Sequence, residues 1–319
     1  MKPAVLVTRK LFPEVLAYLE EHTRVEGGRR SSGLTHDEIQ EKIRDKDGLL
    51  CLLVDRIDRE VLAAARRLRV IANCAVGFDN IDVGLAREKG ILVTNTPGVL
   101  TEATADLTWA LILAVARRIP QADRFTRERR FTGWELDLFL GQELGGRRLG
   151  IIGLGRIGKA VAERARAFRM DVVYCDPHRL TPNEERSLGV SFLALDGLLA
   201  TSDIVTIHAS LNPQTHHLLS AEKLRLMKKT AILVNVARGP IVDESALAKA
   251  LAKGEIWGAG LDVYEREPEV EKCLLGLKNV VLLPHIGSAT RETRLRMAMT
   301  AARNLVQGLR GERPDNLIF

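Results

Sequence analysis

The chain has 319 residues, 46% of them hydrophobic, which is enough for two ordinary domains with separate cores and more than one compact unit holds comfortably. Its formal net charge of +6 is scattered, aromatic residues make up 4%, and no basic run is interleaved with stacking side chains, so nucleic acid is not an expected partner. The apolar stretch at the N-terminus is too short for a signal-peptide core, no run approaches membrane-spanning length, and Cys51, Cys74, Cys175 and Cys273, three of them in apolar runs, form no C-x-x-C pair; core thiols, no membrane and a cytoplasmic location are expected.

Up to about residue 97, short apolar runs alternate with amphipathic stretches, the order of βα units feeding a parallel sheet. Strands are predicted at Ala4 to Thr8, Gly48 to Leu53, Val70 to Cys74 and Ile91 to Thr94. Pro13 suits a first helical position, and Thr35-His36-Asp37-Glu38 has capping-box spacing ahead of Ile39 and Ile43. Asn95-Thr96-Pro97-Gly98 closes the series, and Thr101 to Arg118, with acids early and arginines late, reads as a long, mostly buried helix.

After a polar stretch, a second series places strands near Leu149 to Ile152, Asp171 to Cys175, Asp203 to His208, Ala231 to Val236, Gly258 to Val263 and Val280 to Leu283. Ser288 to Leu309 is one more amphipathic helix with no strand of its own there, and it is expected to return to the first series. The predicted fold is α/β: two doubly wound parallel-sheet domains with a cleft between them, one formed by 1–98 plus 288–319 and the other by 99–287.

Leu149 to Gly158 sets a G-x-G-x-x-G directly after an apolar strand and directly before a helix. Gly153 permits the tight turn, Gly155 lets the backbone approach a pyrophosphate, and Gly158 lets helix pack on strand, while the helix N-terminus offers its unpaired N–H groups to the anion. The next strand ends in Asp176, 18 residues past Gly158, where a carboxylate can accept hydrogen bonds from ribose hydroxyls. NAD(H) is therefore preferred over NADP(H), although His178 and Arg179 just beyond could partly accommodate a 2′-phosphate.

Three further segments put polar residues at or just past buried strands, where open α/β sheets bind ligands: Val234 to Gly239, Gly260 to Pro268, and Leu283 to Ser288. With the glycine loop and Thr101-Glu102-Ala103-Thr104-Ala105-Asp106, they resemble the D-2-hydroxyacid dehydrogenase family. Within it the likeness is greatest to glyoxylate/hydroxypyruvate reductases, through Gly48 to Leu53, Leu283 to Thr290 and Gly308 to Glu312. The likeness covers nearly the whole chain.

The resemblance implies a flavodoxin-like substrate domain, a Rossmann NAD domain, and a catalytic arginine, glutamate and histidine at Arg238, Glu267 and His285. A 2-keto acid offers a carboxylate and a carbonyl, which the planar fork of Arg238 can grip while staying charged. Histidine titrates near neutrality, so His285 can give a proton to the carbonyl oxygen as hydride arrives, or take it back; Glu267 on the other ring nitrogen would fix the tautomer and favour the protonated ring.

By the same resemblance, cofactor contacts fall on Gly153, Leu154, Gly155, Arg156, Ile157 and Asp176, and on Thr104, His208, Ala237, Asp262 and Gly287; no metal is implied. Substrate contacts fall on Leu53, on the N–H groups of Val76 and Gly77, and on Arg238 and His285. Ser210 stands where the family pattern has proline.

The segment Phe131 to Leu140 is too apolar for a free loop and points to a homodimer. In similar reductases this loop brings a tryptophan to the neighbour's active site, and Leu138 holds the corresponding position here. Competing expectations are a D-3-phosphoglycerate or D-lactate dehydrogenase of the same family, with Arg56 as a cation for a phosphate, and an NAD-sensing scaffold like the corepressors that resemble this family.

Overall fold

A computed structural model describes residues 2–319. By contacts the chain divides into two units, one running to Leu100 and joined by Ala289–Phe319, the other Thr101–Ser288.

The first unit holds a five-stranded parallel sheet of β1 (Ala4–Val7), β2 (Arg24–Gly27), β3 (Gly48–Cys51), β4 (Val70–Asn73) and β5 (Leu92–Thr94), in the order β2-β1-β3-β4-β5. That is the flavodoxin-like order. Except for β2, these strands are nearly all aliphatic and buried on both faces, as helix-covered parallel strands must be. The helix Pro13–His22 starts on its proline, and Thr35 and Glu38 exchange both bonds of a capping box at the head of His36–Lys42. The helix Arg291–Leu309, capped by Thr290, lays Ala298, Ala301, Ala302 and Leu305 against Val5, Leu50, Val70 and Ala72 of the sheet.

The second unit holds β6 (Arg148–Ile152), β7 (Asp171–Cys175), β8 (Ser191–Phe192), β9 (Ile204–Ile207), β10 (Ile232–Asn235), β11 (Gly258–Leu261) and β12 (Val280–Leu282), all parallel. Counted from β6 as one and read from β8, their order is 3-2-1-4-5-6-7, the dinucleotide-fold order with one strand added. The helix Thr101–Ala116 buries Leu111, Ile112 and Val115 in the core shared with Ile232 and Val234 of β10.

Two strands went unpredicted, β2 and β8, and both are edges. Arg24–Gly27 is polar and partly exposed, and Ser191–Phe192 has only two residues, so neither makes the apolar run that marks a buried strand. Thr101–Ala116 ends before Arg117 and Arg118, and 131–140 carries no helix or strand. All four cysteines are free, and among the described residues no helix is long and apolar enough to cross a membrane.

Candidate active site

In the second unit the predicted site residues gather past the carboxyl ends of the strands. Gly153, at the end of β6, has φ +89°, and a methyl on it would lie 2.6 Å from the Ala209 nitrogen and 2.7 Å from the His208 carbonyl carbon. A methyl on Gly158 would overlap the Gly153 carbonyl, so helix Arg156–Ala165 sits directly on the turn. At Gly155, the N-cap of that helix, a methyl would meet nothing within 4 Å. That open space in front of unpaired helical N–H groups fits a pyrophosphate. Arg156 and Ile157 are the first two helical residues, and buried Leu154 donates its N–H to Asp176 Oδ2 at 2.8 Å.

Asp176 Oδ1 accepts from His178 N at 2.8 Å, so the acid is fixed between the glycine loop and the end of β7. Arg179 turns to Glu185 at 3.1 Å and lies over the Phe192 ring at 5.0 Å. His208, past β9, bonds Thr206 Oγ1 through Nε2 at 3.0 Å, and its Nδ1 is shut from solvent without a partner among the described residues. Burial pushes its pKa down to about 3, which keeps the ring neutral.

Past β10, buried Asn235 shapes the next turn by accepting from Ala237 N at 3.1 Å and donating to the Arg238 carbonyl at 2.9 Å. Arg238 is half-buried, and its Nη1 donates to the Ala237 carbonyl at 2.9 Å. Past β12, His285 adopts φ +53°, a left-handed conformation that a residue with a Cβ takes only where its surroundings impose it.

Those surroundings are visible. Both oxygens of Asp262, 1% exposed, accept at 2.7 Å from the Ile286 and Gly287 N–H groups, and Thr104 Oγ1 donates to the Gly287 carbonyl at 3.3 Å. Burial raises the Asp262 pKa against the pull of those two N–H groups. The Tyr264 hydroxyl donates to the Leu283 carbonyl at 2.8 Å, just ahead of the turn, and burial pushes its pKa up to about 12.

His285 Nδ1 and Glu267 Oε2 are 2.8 Å apart, both side chains about a quarter exposed. Glu267 Oε1 accepts from Tyr264 N at 3.0 Å. Burial opposes the Glu267 charge, but the His285 bond and charge, the Tyr264 N–H and the nearby Arg238 outweigh it and hold the carboxyl below its ordinary range. The structure thus joins Glu267 and His285 directly and brings the Arg238 charge to bear on the same carboxylate. Spacing in the sequence could not reveal the supporting roles of Asn235, Asp262 and Tyr264; a polar residue ending an apolar strand was the only signal.

In the first unit, Val76 and Gly77 lie in the loop after β4. Their carbonyls are tied back, by Asn95 Nδ2 at 2.8 Å and Asn73 Nδ2 at 2.9 Å. Asn80 Nδ2 reaches the Leu52 and Asp55 carbonyls at 3.1 and 2.9 Å, anchoring the turn that carries half-buried Leu53. Asn73, Asn80 and Asp55 were not singled out from the sequence. His36, Asp58 and Glu60 bring ligand-type atoms within 4.8 Å of one another, but Asp58 already caps helix Arg59–Ala64 and pairs with His36 and Arg56.

Among the described residues, the segment 131–140 forms no hydrogen bond with any of these turns. Trp134 and Leu136 are each 81% exposed, and Leu138 is half-buried.

Residues 109–287 match the family model described as D-isomer specific 2-hydroxyacid dehydrogenase, NAD binding domain. The chain is 52% identical to a glyoxylate reductase of Aeropyrum pernix, over 99% of this chain and 96% of the relative. It superposes with a TM-score of 0.92 on the TT0316 protein of Thermus thermophilus, 46% identical, covering 99% of this chain and 100% of that one. The NADPH-dependent glyoxylate/hydroxypyruvate reductase of Sinorhizobium meliloti, solved with NADP and malonate, superposes with a TM-score of 0.87 at 34% identity, covering 100% and 97%. With a glycine loop built for a dinucleotide, an acid at the end of the next strand and a histidine–carboxylate pair past the last one, the chain belongs to the D-isomer-specific 2-hydroxyacid dehydrogenase family, oxidoreductases that act on CH–OH with a nicotinamide cofactor.

Proposed function

We propose that this protein reduces glyoxylate, hydroxypyruvate or both to glycolate and D-glycerate, using NADH in preference to NADPH. The observation that carries the reading is the 2.8 Å bond between His285 Nδ1 and Glu267, which fixes the ring and leaves Nε2 for proton transfer. A nicotinamide cofactor, when bound, supplies or accepts the hydride. Arg238 holds the acid's carboxylate and polarises its carbonyl, His285 Nε2 delivers the proton to the carbonyl oxygen, and Glu267 stabilises the charged ring before it does so.

Leu154, Gly155, Arg156 and Ile157 would hold the pyrophosphate, with Asp176 toward the ribose; Thr104, His208, Ala237, Asp262 and Gly287 would line the rest of the cofactor site. The preference for NADH rests on Asp176, whose charge repels a 2′-phosphate, and on Arg179, which is occupied by Glu185 and Phe192. Residues 1–98 with 288–319 act as the substrate-binding domain. The tied-back carbonyls of Val76 and Gly77 favour presenting their N–H groups to a carboxylate, and Leu53 supplies an apolar wall suited to a short side chain. Residues 99–287 act as the NAD-binding domain.

The exposed apolar side chains of Phe131–Leu140 support a homodimer, in which Leu138 trims the neighbour's pocket. The four free thiols favour the cytoplasm. Arg56 is already paired with Asp58 at 2.9 Å, which counts against a phosphorylated substrate.

The test is initial rates with glyoxylate, hydroxypyruvate, pyruvate and phosphohydroxypyruvate, each with NADH and with NADPH. Turnover of the first two, fastest with NADH, is expected. Tight NADH binding without turnover of any acid would favour the scaffold instead, and a preference for phosphohydroxypyruvate or pyruvate would move the protein to another branch of the family.

A further inference from the structure

A second histidine–glutamate pair shares the Glu267 loop with the first. His217 Nε2 is hydrogen-bonded to Glu265 Oε1, two residues before Glu267, and the His216 ring stacks on His217 at a centroid distance of 4.2 Å. The backbone of His217, held at φ +50°, donates to the Pro240 carbonyl at 2.8 Å, two residues past Arg238. Leu219 continues that seam, donating to the Ile241 carbonyl at 3.0 Å and accepting from Asp243 at 3.2 Å. One turn therefore grips the segment after Arg238 with its backbone and the loop before Glu267 with its side chain.

Those two segments also meet directly. A methyl on Gly239 would overlap the Tyr264 carbonyl and crowd the Glu265 nitrogen, so the Arg238 turn lies flat on the Tyr264–Glu265 peptide. Glu265 is fixed at its other end as well: its N–H donates at 2.7 Å to Glu244 Oε1, a carboxylate 4% exposed. Burial pushes the Glu244 pKa up, against the hydrogen bond from Glu265, and the Glu265 and Glu271 charges add to the rise. The His217 contact gives the Glu265 carboxylate a ring nitrogen as partner, beside the like charge of Glu244.

We infer that His217 is a positioning residue for the reaction, bolting the Arg238 turn to the Glu267 loop through Glu265 and so fixing Arg238 relative to the His285–Glu267 pair. It touches no reacting atom. Displacing an orienting group by about 1 Å can cost on the order of a hundredfold in rate; a loosened clasp that the Gly239 packing still restrains is expected to cost about tenfold. This inference rests on the roles proposed for Arg238, Glu267 and His285.

The experiment measures kcat and KM for glyoxylate, NADH affinity by fluorescence, and Tm, in the full chain. His217→Ala is expected to lower kcat/KM about tenfold, with a higher KM through Arg238, a lower kcat through His285, and NADH affinity within twofold. His217→Gln, which keeps an N–H donor, recovers most of the loss, and adding Glu265→Ala to His217→Ala costs little more. Should His217→Ala not fold, Glu265→Ala removes the same bond from the other side and carries the same expectation. Kinetic constants within twofold of wild type, a loss of active fraction with KM unchanged, or additive losses in the double variant would overturn the inference while leaving wild-type turnover intact. A wild-type protein that binds NADH and reduces no 2-keto acid would instead overturn the functional reading, and this inference with it.

Discussion

The turns carrying Arg238, Glu267 and His285 and the segment Phe131–Leu140 belong to the same unit and treat their side chains in opposite ways. In the turns, Asn235 and Glu267 each bind backbone of their own turn, Asp262 and Tyr264 reach backbone of the turn around His285, and Gly239 is pressed against a peptide. In the segment, Phe131, Trp134, Leu136 and Leu140 stand more than half exposed, and a methyl on Gly133 would meet nothing within 4 Å. The turns are tied to one another by hydrogen bonds, whereas the segment exposes a run of apolar side chains, the feature on which the proposed homodimer rests.

The contrast can be broken in order of expected effect. Arg238→Gln removes a charged, forked donor and should lower kcat/KM for glyoxylate about a thousandfold, on the order of 4 kcal/mol, with Arg238→Lys recovering only part. Steady-state rates decide this; a loss under tenfold would show that Arg238 does not hold the acid. Gly239→Ala must push apart the Arg238 turn and the Tyr264–Glu265 peptide, at a cost of roughly 3 kcal/mol or more, whereas Gly133→Ala should stay within about 0.5 kcal/mol. Thermal melts of the two variants side by side would refute the contrast if they were displaced equally.

The proposed homodimer predicts that wild type sediments as a dimer and that Trp134→Glu combined with Leu136→Glu yields a folded monomer at the same concentration. An unchanged mass would remove this segment from any interface. A further effect concerns pH. His208 is held neutral with its pKa near 3 against an ordinary 6.5, so below about pH 6.5 the unfolded chain takes up a proton that the folded chain refuses. Stability is complete above 6.5 and falls toward pH 3, by at most about 1.4 kcal/mol per pH unit. His208→Gln should flatten that fall; equal acid slopes in Tm would contradict the assignment.

Much of this architecture was legible because parallel strands buried on both faces read as aliphatic runs, and because Gly153, Gly155 and Gly158 answer to local constraints a sequence displays. Edge strands such as Arg24–Gly27 lack that signal, since one side faces solvent and polar residues suffice there. Arg238, Glu267 and His285 were named through the family resemblance, and their places past buried strands agree with it. Their support could not be named, because Asp262 reaches Ile286 across 24 residues and His217 reaches Glu265 across 48. Such pairings depend on strand order, which places β11 between β10 and β12 and so sets the three turns side by side.

The most direct test of the account compares wild type with His285→Ala for NADH oxidation by glyoxylate, with NADH affinity measured on the same preparations. The account predicts that turnover falls by about a hundredfold or more while NADH affinity stays within a few-fold, since general acid catalysis contributes roughly that much and the glycine loop is untouched. Turnover preserved in His285→Ala would contradict it and place the proton donor elsewhere.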